Sequence, residues 1–202
     1  MENYERINLD EYIQTGEGGT ALTYNHKDGK ALAKLFMPGV AADTAEREFK
    51  VNRVVYDMCI PTPRPIRLIT DGTRFGAEYE LIPNKRSFTR IISQEPEQLE
   101  PLSVLFAKLA REIHAKEADT ARLPSMKELV RKEIARFNGL PDDVREMSLR
   151  TLETLPDATT CLHGDLHIGN IITDGCGSSA ATAGRSTSAS AAWTTCWPAA
   201  RT

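Results

Sequence analysis

Cys161-Leu162-His163-Gly164-Asp165-Leu166-His167-Ile168-Gly169-Asn170-Ile171-Ile172 is the stretch on which the fold turns. Apolar residues flank a polar cluster, so a short loop carrying two histidines, an aspartate and an asparagine is held between segments that can bury themselves. Side chains of this kind can simply hold backbone groups in an ordinary turn. His163, Asp165 and His167, at alternating positions, could also ligate metal, but a metal hydrolase needs further His and Asp ligands from other strands. Only His26 and His114 stand upstream, and no Asp-x-His precedes residue 165. His163 is therefore expected to orient the loop. His26 is expected at the surface, and His114 as a packed or capping residue.

Outward from this loop, the N-terminal third has the patterning of strands. Tyr12–Thr15 and Thr20–His26 flank Gly16-Glu17-Gly18-Gly19, and Ala31–Phe36 follows Lys27-Asp28-Gly29-Lys30. Asp-Gly between two strand-like runs marks a tight hairpin, because both residues tolerate positive φ. A glycine-rich turn can lay backbone N–H groups against phosphate oxygens, since no Cβ blocks the approach. By itself such a turn is equally a flexible surface hairpin.

Lys34 shares a strand face with Leu32 and Phe36, because side chains alternate with period two. A helix is expected from Asp43, as cap, to Met58, with Glu46 reaching back as the capping-box acid. Helical spacing puts Glu46 with Lys50 and Arg53 on a charged face. It puts Glu48 with Val51, Val55 and Met58 on the apolar one. A carboxylate on a buried face is costly without a partner, and Lys34 is the natural one. Kinases use such a strand-to-helix Lys–Glu pair at the α- and β-phosphates of ATP. A lysine snorkelling from a sheet edge and a wet glutamate at the helix edge are the bland alternatives.

Pro61, Pro63 and Pro65 force an extended path after this helix. Two strand-like runs follow, Ile66–Thr70 and Phe75–Ile82, turning at Asp71-Gly72. Beyond a joint near residues 81 to 85, helices are expected over Gln98–Lys116, Met126–Asn138 and Asp142–Leu155. The first of these carries Leu102, Leu105, Leu109 and Ile113 at helical spacing.

With these elements in place the loop acquires a family likeness. His163-Gly164-Asp165, with Asn170 five positions after the aspartate, resembles the catalytic loop of the aminoglycoside phosphotransferase and choline kinase family. The resemblance spans roughly residues 10 to 175 and implies an α+β, protein-kinase-like two-lobe fold: an antiparallel-sheet N-lobe (1–82) and an incomplete helical C-lobe (83–175). It implies an ATP-dependent, Mg2+-dependent kinase acting on a small-molecule hydroxyl. In that likeness Asp165 is the catalytic base with His163 beside it, and Asn170 is a magnesium ligand. Gly16, Gly18 and Gly19 match the nucleotide loop, Lys34 the ATP-phosphate lysine and Glu48 its partner; Glu80 and Ile82 at the joint join the nucleotide-binding set. A nucleotide-binding pseudokinase or interaction module is the alternative.

Bulk properties agree with such an enzyme. The 202 residues are 41% hydrophobic and 26% charged, with a net charge of -3, which argues against a nucleic-acid binder. The acidic start is not a signal peptide, no apolar run is long enough for a membrane span, and four scattered cysteines suggest reduced thiols in the cytoplasm. The family carries a second metal-binding aspartate about a dozen residues after the asparagine. Here the last acidic residue is Asp174, and of the 27 residues from Cys176 to Thr202, 18 are Ala, Ser or Thr. That segment is expected to be a low-complexity, disordered tail, either a frame-shifted or artificially terminated end or a genuine disordered extension, and phosphoryl transfer is expected to be impaired without the second carboxylate.

Overall fold

The computed structural model describes residues 4–173 and 189–191. A six-stranded sheet comes first, in the order β1-β5-β6-β4-β3-β2. Its strands are β1 (Glu5–Arg6), β2 (Tyr12–Glu17), β3 (Ala21–His26), β4 (Ala31–Phe36), β5 (Pro65–Thr70) and β6 (Phe75–Glu80). The expected hairpin turns form: Gly29 takes φ 74°, and Asp28 Oδ1 accepts the Lys30 N–H at 2.8 Å. The sheet is mixed rather than wholly antiparallel, because β1 pairs parallel to β5, with Glu5 opposite Ile69. A two-residue strand is too short to leave a period-two signal, so only its distant partner reveals it.

Helix α1 (Ala42–Asp57) packs on one face of the sheet, with Ala45 and Phe49 against Phe36, Leu68, Ala77 and Tyr79. The other face buries Ile7, Tyr12, Tyr24, Ala33, Leu35 and Ile69. The helix starts ahead of the expected cap: Ala41 is the N-cap and makes no side-chain capping bond. Asp43 instead sits in the first turn, where its charge favours the helix dipole. The helix stops at Cys59 (φ 55°), ahead of the prolines, as the Ile60 N–H returns to the Val55 carbonyl at 3.3 Å. His26 is half-buried, edge-on to Tyr12 at 4.7 Å, rather than at the open surface. His114 is exposed in the last turn of the long helix described next, and so is not packed.

The second unit comprises β7 (Arg86–Ser87), α2 (Phe88–Gln94), α3 (Leu99–His114), α4 (Met126–Arg136), α5 (Asp142–Thr154) and β8 (Ile171–Thr173). Helix α2 has no counterpart in the sequence expectations. At seven residues it is too short for a clear apolar stripe, and it is nucleated by Ser87, whose Oγ accepts the Arg90 N–H at 3.2 Å. One core joins Phe88 and Ile91 to Leu102, Leu109 and Ile113, and continues through Ile171 to Val55 and Ile60. The end of α1 is thus anchored in the helical unit while its start lies on the sheet. Strand β9 (Ala189–Ala191) pairs antiparallel with β8, so these three residues of the expected disordered segment are a strand. The remainder of 176–202 lies outside the described residues.

Gly76 shows how closely β6 approaches β4. A Cβ there would stand 1.9 Å from the Lys34 carbonyl oxygen and 2.9 Å from Leu35 Cα, both backbone atoms of a paired strand. Gly76→Ala is expected to cost more than about 3 kcal/mol, lowering the melting temperature by roughly 6–12 °C or preventing folding. Gly19→Ala, where a Cβ meets nothing within 4 Å, is the control. A Gly76→Ala melting curve matching that control would contradict the close approach.

Candidate active site

A cavity of about 250 Å3 is walled by the β2–β3 turn at Gly18 and Gly19, by Thr23, Leu32 and Lys34 of β3 and β4, and by Glu48 and Asn52 of α1. Tyr79 and Glu80 close it from β6, Ile82 and Lys85 from the connection, and Ile172 from β8. Six of the residues expected at a nucleotide site therefore meet around one space. Gly16 does not: it lies in β2 at a register shift, where a Cβ would stand 2.6 Å from Thr23 Oγ1. Its lack of a side chain answers to the neighbouring strand, and it is not in the cavity wall.

Lys34 and Glu48 meet at the cavity. Lys34 Nζ donates to both carboxylate oxygens of Glu48, at 2.7 and 2.8 Å, with the two residues 8% and 4% exposed. The period-two strand and the 3.6-period helix each turn one charge inward, so neither the snorkelling lysine nor the wet glutamate occurs. Burial also encloses Tyr79 and, together with the Glu48 charge beside it, holds its hydroxyl well above the usual phenol range. That hydroxyl donates to Glu48 Oε1 at 3.4 Å and accepts from Asn52 Nδ2 at 2.9 Å. An ammonium, a carboxylate, a phenol and an amide form one chain, which fixes the Glu48 rotamer from two sides.

Asn52 and Tyr79 were not expected in this site. Asn52 is one helical turn after Glu48, so a polar residue on an otherwise apolar face was the available signal. Tyr79 had none, being an ordinary strand residue until β6 is paired with β4.

The loop after α5 brings His163, Asp165 and Asn170 together, though none of them lines the cavity; Ile172, two residues on, does. His163 is buried and its Nδ1 accepts the Asp165 N–H at 3.3 Å. Gly164 between them takes φ 83°, a conformation that a side chain would strain. Asn170 Nδ2 donates to the Asp165 backbone carbonyl at 2.9 Å and to its Oδ2 at 3.0 Å. The amide nitrogen is thereby committed, and the Asn170 carbonyl oxygen is left as an acceptor suited to a hard cation. His167 Nδ1 accepts the Gly169 N–H at 3.1 Å, leaving Nε2 to carry the proton 3.7 Å from Asp165 Oδ2. Asp165 Oδ2 thus accepts one N–H, from Asn170, with the His167 imidazole 3.7 Å away. Among the described residues no three His, Cys, Asp or Glu side chains form a metal cluster. No helix among them is long and apolar enough to cross a membrane.

This geometry coincides with a match of residues 12–181 to the family model described as APH, phosphotransferase enzyme family. The chain belongs to the phosphotransferase enzyme family. Among curated proteins none matches it. Among solved structures the phosphotransferase chain is similar to the aminoglycoside-3'-phosphotransferase of type VIII, at 22% identity and a TM-score of 0.55, covering 82% of this chain and 67% of that one. It is similar to aminoglycoside phosphotransferase APH(3'')-Id from Streptomyces rimosus in complex with ADP and streptomycin, at 18% identity and a TM-score of 0.51, covering 80% of this chain and 64% of that one. It is also similar to the GDP and kanamycin complex of APH(2")-IIia, at 16% identity and a TM-score of 0.51, covering 83% of this chain and 63% of that one. The chain thus spans about two thirds of the length of these proteins. At such identities the likeness is one of fold, and the fold is kinase-like: a mixed-sheet lobe followed by a helical lobe.

Proposed function

We infer that the cavity binds the nucleotide of an ATP-dependent phosphoryl transfer to a hydroxyl of a small molecule. The observation that carries this is the buried Lys34–Glu48 pair in the cavity wall. An ammonium held by a carboxylate in a partly apolar cavity is a fixed cation, ready to meet phosphate oxygens without reorganising. In this reading residues 1–82 supply the nucleotide lobe, with Gly18 and Gly19 above the phosphates and Glu80 and Ile82 beside the base. Residues 83–175 supply the catalytic loop. The Asp165 carboxylate takes the acceptor's hydroxyl proton, His163 holds the Asp165 backbone, and Asn170 offers its carbonyl oxygen to Mg2+. The donor set fits that ion, since magnesium takes oxygen ligands and completes its shell with water and phosphate. Bound there it would neutralise charge on the phosphates.

A nucleotide-binding module without transfer is the second reading, favoured by the absence of any Asp or Glu after Asp174. Calorimetry with Mg-ATP and Mg-GTP, followed by phosphoryl transfer from labelled ATP to aminoglycoside, amino-alcohol, sugar and amino-acid acceptors, separates the two. Binding with transfer to at least one acceptor is the expected result. Binding without transfer selects the module, and absence of binding removes both.

A further inference from the structure

Lys85 lines the same cavity from the connection between β6 and β7. Lys34, the other lysine in the wall, is neutralised by Glu48. Glu80, the remaining carboxylate of the wall, faces Arg64 at 3.7 Å. Among the described residues no group lies within hydrogen-bond or ion-pair reach of the Lys85 ammonium. Lys85 is half-buried, and burial pushes its ammonium below the ordinary lysine value. A desolvated cation without a counter-group is costly, which marks it as a group whose partner arrives with a ligand.

The strand register says which part of a nucleotide it meets. Ser87 is opposite Ile172 and Arg86 opposite Thr173, antiparallel. Asn170 lies two residues to one side of that pairing and Lys85 two to the other. Because the two strands are antiparallel, Lys85, which precedes β7, and Asn170, which precedes β8, flank opposite ends of that pairing. Lys85 therefore stands at the end of the cavity remote from the catalytic loop, away from the transferred phosphate. An ammonium is a donor only, so it selects oxygen acceptors.

We propose that Lys85 is a nucleotide-binding residue that donates to oxygen acceptors on the sugar-proximal half of the nucleotide, the ribose hydroxyls or the α-phosphate. The assignment rests on the nucleotide reading of the cavity given above. A contact of this kind opposes affinity to stability, because the free protein keeps a desolvated charge that only the ligand satisfies.

The test is calorimetry and thermal melting of the full chain with Mg-ATP, Mg-ADP and adenosine, comparing wild type, Lys85→Met, Lys85→Arg and the exposed-surface control Lys108→Met. Losing one charge-assisted hydrogen bond is expected to lower the affinity of Lys85→Met about tenfold, with Lys85→Arg retaining most of it. The ligand-free melting temperature of Lys85→Met is expected to be unchanged or higher, which a structural lysine would not allow. A loss equal for adenosine and ATP assigns the contact to the ribose; a loss for ATP and ADP alone assigns it to the α-phosphate. Unchanged affinity of Lys85→Met for all three, or an equal loss in Lys108→Met, overturns the assignment and leaves the nucleotide reading standing. Failure of the wild type to bind any of them removes both.

Discussion

Lys34→Met is expected to abolish measurable ATP binding and to destabilise the chain by roughly 3–5 kcal/mol, because removing one partner strands the other as a buried charge. Glu48 is 4% exposed and has no solvent to turn to. The double variant Lys34→Met/Glu48→Leu separates the two effects. Replacing a buried pair with apolar groups of similar size is often neutral or stabilising, so stability is expected to return while ATP binding does not. Equilibrium urea unfolding measures the first and calorimetry the second. ATP affinity retained in Lys34→Met would remove the lysine from the nucleotide site; a single variant as stable as wild type would show that the pair is not held in the core.

Asp165→Asn is expected to lower turnover by about 10²–10⁴-fold, the usual worth of a positioned general base. Nucleotide affinity is expected to stay within about twofold of wild type, since Asp165 lies outside the cavity wall. The substitution is conservative for the loop. An asparagine at 165 can still present a carbonyl oxygen to Asn170 Nδ2, and the backbone bond from Asn170 does not involve the side chain. A fall in turnover therefore reports the lost proton acceptor and not a rearranged loop. Single-turnover transfer of labelled phosphate under saturating nucleotide gives the rate; a variant within tenfold of wild type would assign the proton to another group.

How much of this was legible beforehand follows from the range of the interactions. Lys34 facing Glu48 could be read because each inward direction is set by a local period, two along β4 and 3.6 along α1. The Asp28-Gly29 turn and the His163-Gly164-Asp165 loop were legible for a similar reason. Their backbone conformations are chosen within a few residues, by tolerance of positive φ and by side chains bonding to nearby N–H groups.

What sequence alone determined is thus the longer strands and helices, β2 to β6, α1 and α3 to α5, and the inward charges on β4 and α1. Tertiary structure decided the rest, wherever the deciding contact joins residues distant along the chain. Strand β1 becomes a strand only through β5, making the sheet mixed. Tyr79 becomes part of the Glu48 network only through the β4–β6 pairing, and the absence of a side chain at Gly76 is explained only by the Lys34 carbonyl across it. Lys85 enters the cavity because β7 pairs with β8, placing the connection over Ile172. Periodicity reports which face of an element is apolar; which distant backbone covers that face is settled by strand pairing and packing, and no local pattern encodes it.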